Sequence, residues 1–261
     1  MFYYSFLQLA PTWMVTVAMF ILIVAFYRVG FLMRKKMNAA NPEHAEMNLG
    51  TENGVLLGLL GLLLAFTFSM ANTRFDRRRD IIVEEANNIG TAILRADLYP
   101  DTTRQLLRKS FGDYVETRIA FYAAGMDLNS LIALANRSDS ISRILWQIAA
   151  ADTRENNVVA RTQQMIPALN AMIDITTTRK AMSESTIPDT IMYFLFALCF
   201  CTSFFIGYDH KGKYDWTYVF GFALILSLTI FTIIDLDRPR SGFIKMDQMN
   251  DKIIQLRSLF K

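Results

Sequence analysis

Four stretches of this chain are apolar on every side: Trp13–Met33, Gly54–Ala71, Thr190–Tyr208 and Trp216–Ile234. A soluble helix of that length normally keeps a polar face, and these have none. Each holds 18 or more residues, enough at about 1.5 Å per residue to cross a hydrocarbon core of roughly 30 Å. Arg28 is the one charge inside the four. The pattern predicts an all-α integral membrane protein. Its spans come in two pairs, separated by a polar region with helical periodicity. The expected organisation is residues 1–72 (spans 1 and 2), 73–188 (a helical region outside the membrane), 189–236 (spans 3 and 4) and 237–261 (an amphipathic tail).

The second span has no stop signal. Between Gly54 and Asp97 there is no proline, and after Gly61 the sole glycine is Gly90. One helix of about 40 residues is expected, on the order of 60 Å long. Pro100 ends it, and Asp101 or Thr102 is placed to cap the next helix, which runs to Gly125. Further helices are expected at Leu128–Ala135, at Ser138–Ala151 with Ser138 or Ser140 as cap, and at Asn156–Ser183 with Pro167 as a kink. Pro188 suits the first turn of the third span. In the tail, Met249, Ile253, Leu256 and Phe260 fall on one helical face, which predicts docking on a neighbouring helix. No alternating apolar pattern predicts a strand.

Charge refines the picture. The net charge is only +3, and acidic and basic residues nearly balance in the central region, so nucleic acid is a poor partner. Arg34-Lys35-Lys36 directly after the first apolar stretch argues for an uncleaved span rather than a signal peptide. Basic residues concentrate beside the central region and the tail, among them Arg74, Arg77, Arg78, Arg79, Arg179 and Arg238. By the positive-inside rule, the termini and the central region lie in the cytoplasm. Cys199 and Cys201 fall within the third span and are expected to pack as small apolar groups.

Catalytic chemistry is nearly absent. His44 and His210 are the two histidines and stand in loops without metal-ligand spacing. No nucleophile elbow, phosphate loop or zinc-protease motif occurs. No catalytic residue, metal or cofactor is expected, and the chain is not read as an enzyme.

The long helix carries more. Gly54, Gly58, Gly61, Ala65, Ser69 and Asn72 form a stripe of small residues, continued by Asp76, Asn87 and Gly90. Such a stripe serves close helix packing; it also suits the wall of a water-filled path, with Phe66 and Phe68 as material for an apolar constriction. Arg74 and Arg77–Arg79 suit either lipid phosphates or a vestibule that concentrates anions. Asp235 and Asp237, at the end of the fourth span, read first as a helix end held by salt bridges; the other reading is a contact to the arginines that couples tail to pore.

Several runs together resemble the bestrophin family, and most closely its bacterial bestrophin-like members of unassigned function. They are Leu64-Ala65-Phe66 with Thr67-Phe68-Ser69-Met70-Ala71, Val83-Glu84-Glu85-Ala86-Asn87 with Gly90-Thr91-Ala92, Leu94-Arg95-Ala96-Asp97, and Asp235-Leu236-Asp237-Arg238-Pro239 with Ser241-Gly242. The resemblance implies a homo-oligomer, pentameric in bestrophins, with an axial anion pore in the bacterial inner membrane. The bestrophin neck would fall on Phe66, Leu62 and Gly58. Gly58 departs from the bulky residue expected there. Phe75-Asp76 replaces a tryptophan pair, and the acidic calcium clasp of animal bestrophins is reduced to Asp235 and Asp237, so calcium gating is not inferred. The expectation is passive chloride conduction, with Ser69, Asn72, Asp76 and Asn87 as the polar pore face. A non-conducting scaffold or sensor that binds a protein partner through its cytoplasmic helices is the alternative.

Overall fold

The computed structural model describes residues 10–40, 49–125, 127–156, 158–212, 214–238, 243 and 247–260. Among them the secondary structure is helical throughout, with no strand. The helices are α1 (Thr12–Ala40), α2 (Gly50–Arg95), α3 (Asp101–Ala123), α4 (Leu128–Asn156), α5 (Val159–Glu184), α6 (Asp189–Asp209), α7 (Trp216–Asp237) and α8 (Asp247–Gln255). Short 3₁₀ turns at Ala96–Leu98 and Leu256–Phe260 follow α2 and α8. Four helical stretches are long and apolar enough to cross a membrane.

The chain divides into two units. The first comprises residues up to Phe75 together with Thr186–Phe243; the second comprises Asp76–Ser185 and Ile244–Lys261. In the first, α1 packs along α6 and also against α7. Its core gathers Met19, Ile23, Leu60, Leu195, Cys199, Ala223, Ile230 and Ile233. Two glycines set the α1–α6 approach. A methyl group on Gly30 would lie 2.1 Å from the Phe204 carbonyl oxygen, and one on Gly207 would lie 2.1 Å from that of Tyr27. The two backbones therefore touch where neither helix carries a side chain. Cys199 is buried, whereas Cys201 is exposed.

In the second unit α3 packs on α4 and α4 on α5. The core is built from Ile89, Ile93, Leu107, Phe111, Tyr114, Leu145, Leu169 and Met172. The tail docks here: Ile253 and Leu256 are buried in this core, and Leu256 lies against Gly90. Arg257 grips Glu116 through two hydrogen bonds of 2.7 and 2.6 Å, and Arg108 donates to the Leu259 carbonyl at 2.6 Å.

Local expectations met the structure unevenly. α2 is one uninterrupted helix, as the missing breakers require. The two helices expected at Leu128–Ala135 and Ser138–Ala151 are a single helix, α4. No proline or glycine interrupts it, and Ser138 and Ser142 turn their hydroxyls back to the Leu134 and Ser138 carbonyls instead of capping. Neither Asp101 nor Thr102 caps α3. Pro100 occupies that position without a side-chain bond, and Asp101 pairs with Arg104 one turn on. Gly125 ends the α3 region in the left-handed conformation, φ 57°. Pro167 lies inside α5, and the nearby Gln164 carbonyl accepts a bond from Arg95. α7 is capped by Asp215, whose carboxylate accepts from the Thr217 and Tyr218 amides at 2.9 and 3.3 Å.

Arg34, directly after the first apolar stretch, continues α1 and is buried there. It donates to the Tyr208 carbonyl at 3.1 Å and pairs with Asp209 at 3.4 Å. Asp209 also accepts the Leu49 amide at 3.0 Å, which ties the approach to α2 onto the end of α6.

Candidate functional site: the exposed face of the long helix

On α2 the first unit buries Asn53, Leu60, Thr67 and Ala71. These positions follow a seven- and four-residue rhythm and share one side of the helix. Gly58, Leu62, Phe66, Ser69 and Asn72 are all exposed. At roughly 100° per residue, they centre on the side opposite Leu60. Leu62 is 53% exposed and Phe66 61% exposed. A methyl group on Gly54, Gly58 or Gly61 would meet nothing within 4 Å. The glycines therefore do not serve helix packing within one chain. Thr67, between the two phenylalanines, is fully buried and closes its hydroxyl onto the Leu63 carbonyl at 2.7 Å. Phe68 is exposed.

In the second unit, Asp76 and Asn87 are exposed on α2, while Ile82, Glu85, Ala86 and Ile89 are buried. The arginines divide. Arg77 and Arg79 are exposed, Arg74 is half-buried and Arg78 is buried.

Asp235 and Asp237 act on backbone. Asp235 is buried and accepts the Phe243 amide at 2.8 Å; Asp237 accepts the Ile187 amide at 2.9 Å. They fasten the segments on either side of the α6–α7 pair to the end of α7. Burial lowers the pKa of Arg238, against the opposing pull of Asp235 and Asp237. Pro239, Arg240, Ser241 and Gly242 lie outside the described residues, as does His44. His210 lies between the rings of Tyr27 and Phe31, at 6.2 and 5.9 Å. Among the described residues, no three His, Cys, Asp or Glu side chains are grouped to hold a metal ion.

The sequence reading did not single out the most concentrated charge cluster in the second unit. Glu85 is fully buried. It accepts from Arg118 Nε at 2.6 Å, Tyr122 Oη at 2.6 Å and Arg179 Nη1 at 2.7 Å. The Arg179 guanidinium lies 3.7 Å from the centre of the Tyr122 ring. One carboxylate on α2 thus joins α3 and α5. Burial disfavours the charge on Arg118; Glu85, followed by Tyr114, outweighs this and raises its pKa. Tyr114 beside them is pushed up to about 12 by burial. The signal lay in Glu84-Glu85, where the helical rhythm turns one carboxylate outward and the other inward, but partners more than 30 residues away leave no local trace.

No curated protein matches the chain. Crystal structures of a bacterial bestrophin homolog from Klebsiella pneumoniae share its fold. A tryptophan-to-alanine variant superposes with a TM-score of 0.66 at 14% identity, over 96% of this chain and 98% of that one. An isoleucine-to-threonine variant gives 0.67 at 13%, over 94% and 98%. The form solved by Zn-SAD phasing gives 0.64 at 13%, with the same coverage. The family model of the Bestrophin-like domain matches residues 13–248. A match that runs through all four apolar helices and into the tail makes this chain a member of the bestrophin-like family.

Proposed function

We propose that the protein is a passive anion channel, with chloride as the expected ion, formed by several copies around an axis lined by α2. The observation that supports this is the face of α2 on which Gly58, Leu62, Phe66, Ser69 and Asn72 are all exposed and its glycines meet no neighbour. A helix this apolar, with 17% of its most apolar window buried in its own chain, requires lipid or other copies around it. Small and hydroxyl-bearing residues suit a shared aqueous path better than lipid. In this reading Leu62 and Phe66 narrow the path, while Gly58 leaves it wide. Asp76 and Asn87 continue the polar face, and Arg77 and Arg79 hold anions near the cytoplasmic mouth. The assembly is taken as a pentamer in the bacterial inner membrane with both termini cytoplasmic. The chain acts as a conductor rather than an enzyme.

Chloride efflux from liposomes that hold the purified oligomer tests this, with wild type beside Phe66→Ala. Efflux that rises in the variant is the expected outcome. Equal efflux removes Phe66 from the constriction. No efflux in either, from an intact oligomer, favours the scaffold, in which the same face closes by glycine packing between copies.

A further inference from the structure

We infer that the loop-side end of α1 and α6 carries a binding site for a phosphate-bearing anion, in a basic cavity that the conduction path does not use. The cavity is about 570 Å³, with Phe31 and Gly212 among its walls. Arg34, Lys35, Asn38, His210, Lys211 and Tyr214 line it, and no acidic side chain is among its described lining residues. Asp209, at the end of α6, is engaged with Arg34 and with the Leu49 amide. Two lysines therefore face the cavity beyond the one paired arginine.

Two further observations point to an occupant. Among the described residues, neither Tyr214 Oη nor Asn38 Oδ1, both buried atoms, finds a hydrogen-bond partner, an expensive condition unless something binds there. Burial raises the pKa of Tyr214, so its hydroxyl is a donor at neutral pH. Turning the Asn38 amide about its terminal bond presents its NH₂ instead of its oxygen. Two ammonium groups, a phenol hydroxyl and an amide NH₂ together supply the hydrogen-bond donors that an oxyanion requires.

The surroundings favour phosphate at a membrane surface. Tyr214 stands edge-on to Phe31 at 5.1 Å and to Trp216 at 4.8 Å. Trp and Tyr rings beside basic side chains at the end of apolar helices lie at headgroup depth. A phospholipid headgroup and free phosphate share this chemistry.

The full-length protein, delipidated in detergent, is titrated calorimetrically at fixed ionic strength. The ligands are dihexanoyl phosphatidylglycerol and, separately, inorganic phosphate. Saturable binding is expected, weakened roughly thirtyfold in the Lys35→Gln/Lys211→Gln double variant, since each lysine contributes about one kcal/mol toward an anionic headgroup. Tyr214→Phe also weakens it, with no loss of thermal stability in the ligand-free protein. Lipid binding that phosphate does not displace assigns the headgroup; phosphate binding that competes with lipid assigns the free anion. Absence of saturable binding by either, or binding unchanged in both variants, overturns the site.

Discussion

Single residues divide here into those that face solvent or other copies and those that fasten the chain to itself. Glu85 belongs to the second kind. Three donors converge on a fully buried carboxylate. Removing such a carboxylate leaves Arg118 buried with its charge uncompensated. Glu85→Ala is expected to destabilise the second unit by about 3–5 kcal/mol, measured by thermal unfolding in detergent, and Glu85→Gln by less. An unfolding temperature that does not move in Glu85→Ala would mean that the arginines find other acceptors. Glu116 illustrates the exposed case. Its hydrogen bond to Arg257 holds its pKa below the usual carboxylate value. A depressed carboxylate pKa means that the contribution is present above the unfolded value and is lost as pH falls through the folded one. Both partners are more than half exposed, so salt also weakens the pair. Faster proteolytic release of residues 247–260 is expected at a pH below the usual carboxylate range than at pH 7. The same rate at both would show that apolar docking alone holds the tail.

At the scale of elements, the α1–α6 crossing is set by absent side chains. Gly30→Ala and Gly207→Ala each place a methyl group on the other helix's backbone, at 2.1 Å, and neither backbone has a rotamer with which to yield. Each is expected to force the helices apart and cost about 1–3 kcal/mol or more. The check is the melting temperature and the yield of monodisperse protein, with Gly61→Ala as the control, because a methyl group there meets open space. If Gly61→Ala is as damaging as Gly207→Ala in the assembled protein, the open face of α2 is closed by a second copy. The tail shows the complementary device: Gly90 on α2 leaves room for Leu256, and a methyl group on Gly112 of α3 would lie 4.0 Å from the Phe260 ring.

For the whole molecule, one chain leaves much apolar surface uncovered. Leu57, Leu62, Phe66 and Phe68 on α2, and Leu224, Ile225 and Leu228 on α7, are all exposed. Lipid satisfies such surface without specificity, whereas the glycines and hydroxyls among it on α2 suit another protein surface or water. Oligomerisation is the expectation, with five copies from the family likeness. The mass of the protein–detergent complex by light scattering checks the copy number. Oxidative cross-linking of Gly58→Cys, in a chain where Cys199 and Cys201 are replaced by serine, checks which face meets at the axis. Failure to cross-link from an intact oligomer would turn that face away from its neighbours.

Helix type, and the length of α2, were legible in the sequence because they depend on local causes: apolar runs of span length, the absence of proline across α2, Pro100 and Gly125 as stops; α4, expected as two helices, is one because no breaker divides it. The exposed face of α2 was also visible as a stripe, since its spacing is a property of one helix. Capping was less legible: Asp101 and Ser138 had other partners within a turn, and local competition between side chains decides such cases. What tertiary structure alone decided are the pairings across long separations. Arg34 with Asp209, Gly30 against Phe204, Gly207 against Tyr27, Glu85 with Arg118 and Arg179, and Arg257 with Glu116 all join residues far apart in the chain. Periodicity records which side of a helix is turned inward; it carries no record of what waits there, because the partner is chosen by packing.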